Sequence, residues 1–301
     1  MKKILFVISI FFFIFYADLS AQRWKKVRYE VLGGIGVSGY LGDLGGADGP
    51  GRPFISDLDL SGTRFAGNIG MRYRWTDRVS FKWNLISGMI NGSDVYSDSR
   101  RSARNLSFRS LIVESSIQVE YSIQKEKTGR RYNLLTTGKL RWEGINTYLF
   151  TGVGGFYFNP QGKYIDNKWY NLQPLATEGQ GLPGAKEDKP YSKIAACFPL
   201  GIGFKYGLSR KLNFGIEMGY RFTTTDFLDD VSDSYYDNEA IRNANGANGD
   251  IAAYLADPRD MDKAPSGQKW RGNPKSRDGY LFILFNVSMK LRVARNGLPR
   301  F

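Results

Sequence analysis

The sequence predicts an all-β chain, a single eight-stranded antiparallel transmembrane β-barrel of the outer membrane with long external loops. Three observations lead there. Eight segments read as strands, most of them alternating apolar and polar residues with a period of two. Each is about 10 to 17 residues long, where a membrane-crossing strand needs about 9 to 11 and a globular strand about 5 or 6. Their connections are short on one side and long on the other, as in outer-membrane barrels. Apolar runs of about 20 residues do not recur, which excludes a bundle of membrane helices.

In chain order, residues 1–21 read as a signal peptide. Lys2 and Lys3 precede an apolar run from Ile4 to Ala17, too short to span a bilayer, with a cleavage position after Ala21. Residues 22–301 then form the barrel domain. Tyr29–Ser38 is the first strand. Residues 63–75 set Phe65, Ile69, Met71, Tyr73 and Trp75 against Arg64, Asn68, Arg72 and Arg74. Residues 79–90 set Val79, Phe81, Trp83 and Leu85 against Lys82 and Asn84. Residues 108–124 place Ile117 and Val119 opposite Glu114 and Glu120. Thr147–Phe158, the fifth strand, is glycine-rich and apolar on both faces, so its pattern gives no orientation. Residues 191–207 oppose Phe198, Leu200 and Phe204 to Cys197, Gly201 and Lys205. Leu212 to Thr223 and Leu281 to Arg292 repeat the alternation most clearly.

Short turns fall at Thr76–Arg78 and Leu208–Lys211, and external loops at 39–62, 91–107, 159–190 and 224–279. Turn 125–146 is far longer than a periplasmic turn needs to be, and such segments are often functional or disordered. Phe301 occupies the place of a barrel-assembly signal, although Asn296-Gly297-Leu298-Pro299 interrupts the strand before it.

The chain has no histidine and a single cysteine, Cys197. An intrachain disulfide, a Cys/His zinc site and a Ser-His hydrolase are thereby excluded. No cofactor and no enzymatic activity are expected; lipid chemistry built on Asp, Glu, Lys or Ser is a poor alternative. Glu114 and Glu120 share a face but lie about 20 Å apart along a strand, too far to act on one bond. Asp226, Asp229, Asp230 and Asp233 offer oxygen ligands without the spacing of a calcium loop, and read as a solvated loop. The glycines at 33, 34 and 36 and at 152, 154 and 155 precede no helix, so they suit close strand packing, not phosphate binding.

Eight strands enclose an interior that side chains can fill. The inward faces carry Glu30, Glu114, Glu120 and Glu217 against Arg64, Arg72, Lys82, Lys205, Arg221 and Lys290, with Arg74 and Arg292 beside them. A packed ion-pair network that shuts the barrel is the expectation; a narrow anion path is the alternative.

The formal charge is +13. With both termini periplasmic, residues 22–28, turn 125–146 and the C-terminal tail carry Arg23, Lys25, Lys26, Arg28, Lys125, Lys127, Arg130, Arg131, Lys139, Arg141, Arg292, Arg295 and Arg300 against only Glu126 and Glu143. The four external loops together are acidic. The basic side suits lipid headgroups or an acidic periplasmic partner; Arg23, Lys25, Lys26 and the six cations of turn 125–146 are the candidate partner-binding residues. Nucleic acid is not an expected partner.

A family resemblance covers most of the mature chain. Its carriers are Tyr40-Leu41-Gly42-Asp43-Leu44, Leu106-Ser107-Phe108-Arg109-Ser110, Phe156-Tyr157-Phe158-Asn159-Pro160, Leu172-Gln173-Pro174-Leu175 with Thr177-Glu178-Gly179-Gln180-Gly181, Thr225-Asp226-Phe227-Leu228-Asp229-Asp230-Val231, and Arg271-Gly272-Asn273-Pro274-Lys275. In this order they resemble the PorG family of outer-membrane barrels of the type IX secretion and gliding machinery. The resemblance implies a barrel that anchors or stabilises a periplasmic ring, made of a lipoprotein and a soluble subunit of the PorK/PorN or GldK/GldN type, while a separate channel passes the cargo. An adhesion or ligand-binding barrel working through its external loops is the other class of function.

Overall fold

The computed structural model describes residues 27–42, 44, 62–94, 104–124, 145–209, 211–259, 270–273, 277–293 and 299–300. Eight long strands close on themselves: β1 (Tyr29–Leu41), β2 (Arg64–Arg74), β3 (Val79–Ser93), β4 (Ser107–Ser122), β5 (Ile145–Lys163), β7 (Ile194–Gly207), β8 (Leu212–Thr223) and β9 (Gly279–Val293). Every neighbouring pair is antiparallel, and β9 returns to β1 from Tyr29↔Leu291 to Leu41↔Gly279, so the main ladder has no free edge. Two short strands lie outside this ring. β6 (Trp169–Asn171) pairs with the end of β5, and β10 (Pro299–Arg300) pairs with Arg292 and Val293 of β9.

The alternation sorts side chains by face. Glu30, Arg72, Lys82, Glu120, Asn213, Glu217, Ser288 and Lys290 are buried inside, whereas Ile69, Trp83, Ile117, Leu149, Leu200, Phe285 and Val287 are exposed outside. A water-soluble protein would reverse this, since burying one such apolar side chain stabilises by about 1.5–3 kcal/mol. The outer surface is therefore matched to hydrocarbon, and closure satisfies the backbone there. Towards the turn end the outer face carries aromatics in contact, Tyr29 with Tyr73 at 5.1 Å and Trp75 with Phe81 at 5.8 Å, the composition of an interfacial girdle.

Register orients β5. Tyr148, Phe150, Phe156 and Phe158 point inward and are buried, while Leu149, Val153 and Tyr157 face out. Space for the inward rings comes from glycines across the barrel wall: a Cβ on Gly203 would collide with the Tyr148 ring, and one on Gly201 would meet Phe150 at 2.5 Å.

Several strands outrun their expected ends on the loop side. β1 continues to Leu41, β3 to Ser93 and β5 to Lys163, where β6 folds back on it. The long connections are not plain coil either. A 3₁₀ turn forms at Gln173–Leu175, and helices α1 (Asn238–Ala244) and α2 (Gly249–Ala256) form in the last loop. One buried apolar cluster joins the loop half of the barrel to these elements, linking Ile90, Phe108, Phe156 and Phe282 to Leu172, Leu228, Ile241 and Leu255.

Candidate functional site

Two polar assemblies stand along the barrel axis, one inside the wall and one in the loops. In the turn half of the lumen, Arg72 of β2 is the hub. Its Nε and Nη2 donate to the two carboxylate oxygens of Glu120 at 2.6 and 2.9 Å, and its Nη1 donates to Glu30 at 2.8 Å. Lys82 lies 2.7 Å from Glu217 and 3.3 Å from Glu120, with its ammonium over the Phe150 ring. Tyr148 donates to Glu217 at 2.5 Å. Arg74 at 3.5 Å and Lys205 at 3.7 Å complete the surroundings of Glu30, and Lys290 stands opposite Glu30 in the β1–β9 register.

A smaller cluster sits nearer the loops. Arg221 Nε donates to Glu114 at 3.0 Å while its guanidinium lies over Phe282. Tyr280 and Ser116 also donate to Glu114, at 3.0 and 2.9 Å. Glu114 and Glu120 thus serve separate clusters instead of one reaction centre. Arg64 departs from the inward set expected of it: it is exposed at the loop end of β2, where the wall opens, and donates to the Thr63 carbonyl at 2.9 Å. Arg292 is exposed as well. Such ion pairs fill the cross-section; what they enforce is mutual dependence, since stripping one partner leaves a buried charge uncompensated.

The second assembly is a cap of external loops tied by buried charges. The Tyr40 hydroxyl, at the end of β1, lies within hydrogen-bond distance of both Asp229 at 2.7 Å and Asp278 at 2.8 Å, and its one proton is shared between them, joining the first strand to both ends of the last loop. Asp278 also accepts from the Leu228 amide at 3.0 Å, and Asp229 from the Val231 amide at 2.9 Å. Arg104 of the second loop binds both oxygens of Asp94 and donates to the Arg271 carbonyl at 2.6 Å. Arg271 in turn donates to Glu178 of the third loop at 3.1 Å and to the Asp230 carbonyl at 2.5 Å. Asp230 accepts from Thr177, and from Tyr191 at 2.7 Å. Burial pushes the Asp230 carboxyl up to about 6, and it raises the Tyr191 phenol well above its usual value.

Local sequence explains how the cap is held. Asp237 caps α1 by accepting from the Glu239 amide at 3.1 Å, which aims Ile241 into the apolar cluster. Asn245 ends that helix and donates to the Leu175 carbonyl of the third loop at 3.0 Å. Tyr191 stacks between Phe158 and Phe227 with rings 6.1 and 4.7 Å apart.

Asp229 and Asp230 are therefore buried hydrogen-bonding centres, not members of the solvated loop expected from their spacing. Among the described residues no group of His, Cys, Asp or Glu is arranged to hold a metal. The candidate partner-binding residues Arg23, Lys25, Lys26, Lys125, Lys127, Arg130, Arg131, Lys139 and Arg141 lie outside the described residues. Tyr40, Asp94, Arg104, Asp278 and Glu178, which tie the cap, had no periodic signal. Most of them do fall in or beside the segments that carry the family resemblance.

The family model for a domain of unknown function, DUF6089, matches residues 2–254, and the chain belongs to that family. No curated protein matches the sequence. Among solved structures, the chain is similar to the outer membrane protein OprG from Pseudomonas aeruginosa, with 9% identity, 89% of this chain and 97% of that one covered, and a TM-score of 0.38. Neisserial surface protein A gives 7%, 87%, 96% and 0.36, and the N-terminal β-barrel domain of Pseudomonas aeruginosa OprF gives 10%, 88%, 98% and 0.33.

Proposed function

We propose that this member of the DUF6089 family is a non-enzymatic outer-membrane component of the type IX secretion and gliding machinery, exported by a cleaved signal peptide. Its role is to anchor or stabilise a periplasmic ring of the PorK/PorN or GldK/GldN type. The observation that carries this reading is the filled lumen. A barrel whose cross-section is occupied by Arg72, Lys82, Glu120 and Glu217, and whose loop end is covered by a folded cap, is suited to support and not to conduction. The resemblance of the Tyr40–Leu44, Leu172–Gly181 and Thr225–Val231 segments supports the specific machinery. The concentration of basic residues on the turn side supports an acidic partner there.

The test is affinity purification from solubilised outer membranes, with mass spectrometry of what co-purifies at low and raised salt. Recovery of a ring lipoprotein and its soluble subunit is expected, weakened by salt and by Arg130→Glu with Arg131→Glu, while the heat-shifted gel mobility of the folded barrel is unchanged. A barrel that comes away alone in several mild detergents overturns the anchor reading. The second reading, a barrel that binds ligand through its external loops, has one observation in its favour: those loops share a buried core.

A further inference from the structure

On the outside of the wall, at the loop end of its apolar belt, β4, β5 and β6 carry a polar patch. Strand alternation puts Arg109 on the same outer face as Leu111 and Ile117, and puts Asn159, Gln161 and Lys163 on the same outer face as Val153 and Tyr157. Register lines up Arg109, Gln161 and Asn171 across the three strands, with Lys163 opposite Trp169 in the next row. Arg109 stands two residues beyond the exposed Leu111, about 7 Å along the strand. The patch therefore lies at the level of lipid headgroups, with the acyl-facing wall directly below it.

Arg109 is held in place and yet left open. Its Nε donates to Gln161 Oε1 at 2.9 Å, and its guanidinium lies over the Trp169 ring, 4.3 Å from the centroid. Gln161 is itself oriented: its Nε2 donates to Asn171 Oδ1 at 2.9 Å, which also accepts from Asn159 Nδ2 at 2.8 Å. The Arg109 side chain is only part-buried, and its Nη1 and Nη2 have no hydrogen-bond partner among the described residues. A guanidinium fixed against a ring presents these donors as a fork, the geometry that suits two oxygens of one phosphate.

The charge around this fork is one-sided. Lys163 is exposed and, like Arg109, forms no ion pair among the described residues; Arg64 is exposed at the same end of β2. Asp166, on the β5–β6 turn, is taken by Lys168 at 3.6 Å and by the Tyr170 hydroxyl at 2.9 Å. Asp94, at the loop end of β3, is buried against Arg104. Unmatched positive charge thus faces outward at this height. A free anion would meet it in water, where exposed ion pairs are worth little. A headgroup anion is brought to it by acyl chains that pack on Leu111, Tyr157 and Ile194, all exposed on the wall below.

We propose that this patch is a docking site for the phosphorylated lipid A headgroup of lipopolysaccharide in the external leaflet. Its phosphate sits on the Arg109 fork with Lys163 beside it, and its acyl chains lie on the apolar wall. The site stands on the loop side alone and is independent of any ring bound at the turn face.

The test is native mass spectrometry of the full chain in a neutral detergent, titrated with phosphorylated lipid A, with the same lipid stripped of its phosphate, and with inorganic phosphate. Wild type should bind phosphorylated lipid A about tenfold more tightly than the stripped lipid. Arg109→Gln should lose about tenfold, the size of one charge-assisted pair, and with it the preference for phosphate. Trp169→Leu keeps the charge but frees the guanidinium, and should weaken binding severalfold. Arg78→Gln, at the opposite end of the barrel, should bind as wild type does. Heat-shifted mobility verifies the barrel in each variant. Equal binding of the two lipids, an unchanged affinity in Arg109→Gln, or an equal loss in Arg78→Gln overturns the proposal. Displacement of the lipid by equimolar inorganic phosphate also overturns it, by assigning the patch to a free ion.

Discussion

The lumen and the loop cap are both closed by buried ion pairs, yet they are assembled on opposite plans. In the lumen the charges arrive by strand period: Arg72 and Arg74 two residues apart on β2, Glu114 and Glu120 six apart on β4, each delivered inward by the same alternation that sends Ile69 and Ile117 out. In the cap no period operates. Asp94, Arg104, Glu178, Asp230 and Arg271 come from three different loops and meet only because each loop is folded onto the others. The difference teaches that identical chemistry can be a property of one ladder or of several independent connections. The two should fail in different ways.

The largest difference is expected at the hub. Arg72→Ala leaves Glu30 and Glu120 without their shortest partners inside the wall, and breaking a buried pair in this way typically costs about 3–5 kcal/mol. The loss should appear as a lower urea midpoint for the whole barrel in detergent. Because every strand shares the ladder, the wall should unfold in a single transition, and the cap it carries is lost with it. A midpoint unchanged from wild type would mean that the lumen charges are hydrated and do not depend on one another.

The wall was legible because alternation is a local signal. Each of Glu30, Lys82, Lys205, Glu217 and Lys290 could be put inside from its own strand. The fifth strand was not, since Tyr148 and Leu149 are both apolar enough for either face. The clue to its orientation lies on neighbouring strands, where Gly201, Gly203 and Gly219 leave room for the Tyr148 and Phe150 rings. Arg64 shows the limit of parity, which ceases to mean burial where the wall ends. The cap was the least legible part, because Tyr40 and Asp278 are far apart in sequence and touch only through the closed β1–β9 seam.

A second separation of the two regions uses pH. The Asp230 carboxyl sits at about 6 against an ordinary 3.8, with Arg271, Glu178, Tyr191 and Thr177 around it, so the folded cap holds this proton more tightly than an open one. Its contribution is full below about pH 4 and is lost as pH rises through about 6, with about 3 kcal/mol as the size of a two-unit rise. Asp230→Asn removes that titration. Hydrogen exchange at the Val231 and Ser232 amides, compared between wild type and variant from pH 4 to 7, should show wild type losing protection relative to Asp230→Asn, with no parallel change at strand amides of β8. Parallel curves for the two proteins would mean that Asp230 stays ionised throughout.

The smallest effect, and the sharpest in place, belongs to Tyr40→Phe. The change keeps the ring against Phe108, 4.7 Å away and edge-on, and removes only the hydroxyl that bridges Asp229 and Asp278. Both carboxylates keep a backbone donor, from Val231 and Leu228, so the loss is the one proton that the hydroxyl shares between charged acceptors, about 2 kcal/mol. The seam below is untouched, because Tyr40 pairs with Tyr280 through the backbone. Limited proteolysis should therefore cut faster within residues 224–259, while heat-shifted mobility and the urea midpoint of the barrel stay at wild-type values. If the barrel midpoint falls with the cap, the two regions form one cooperative unit. The loops would then be part of what keeps the wall closed.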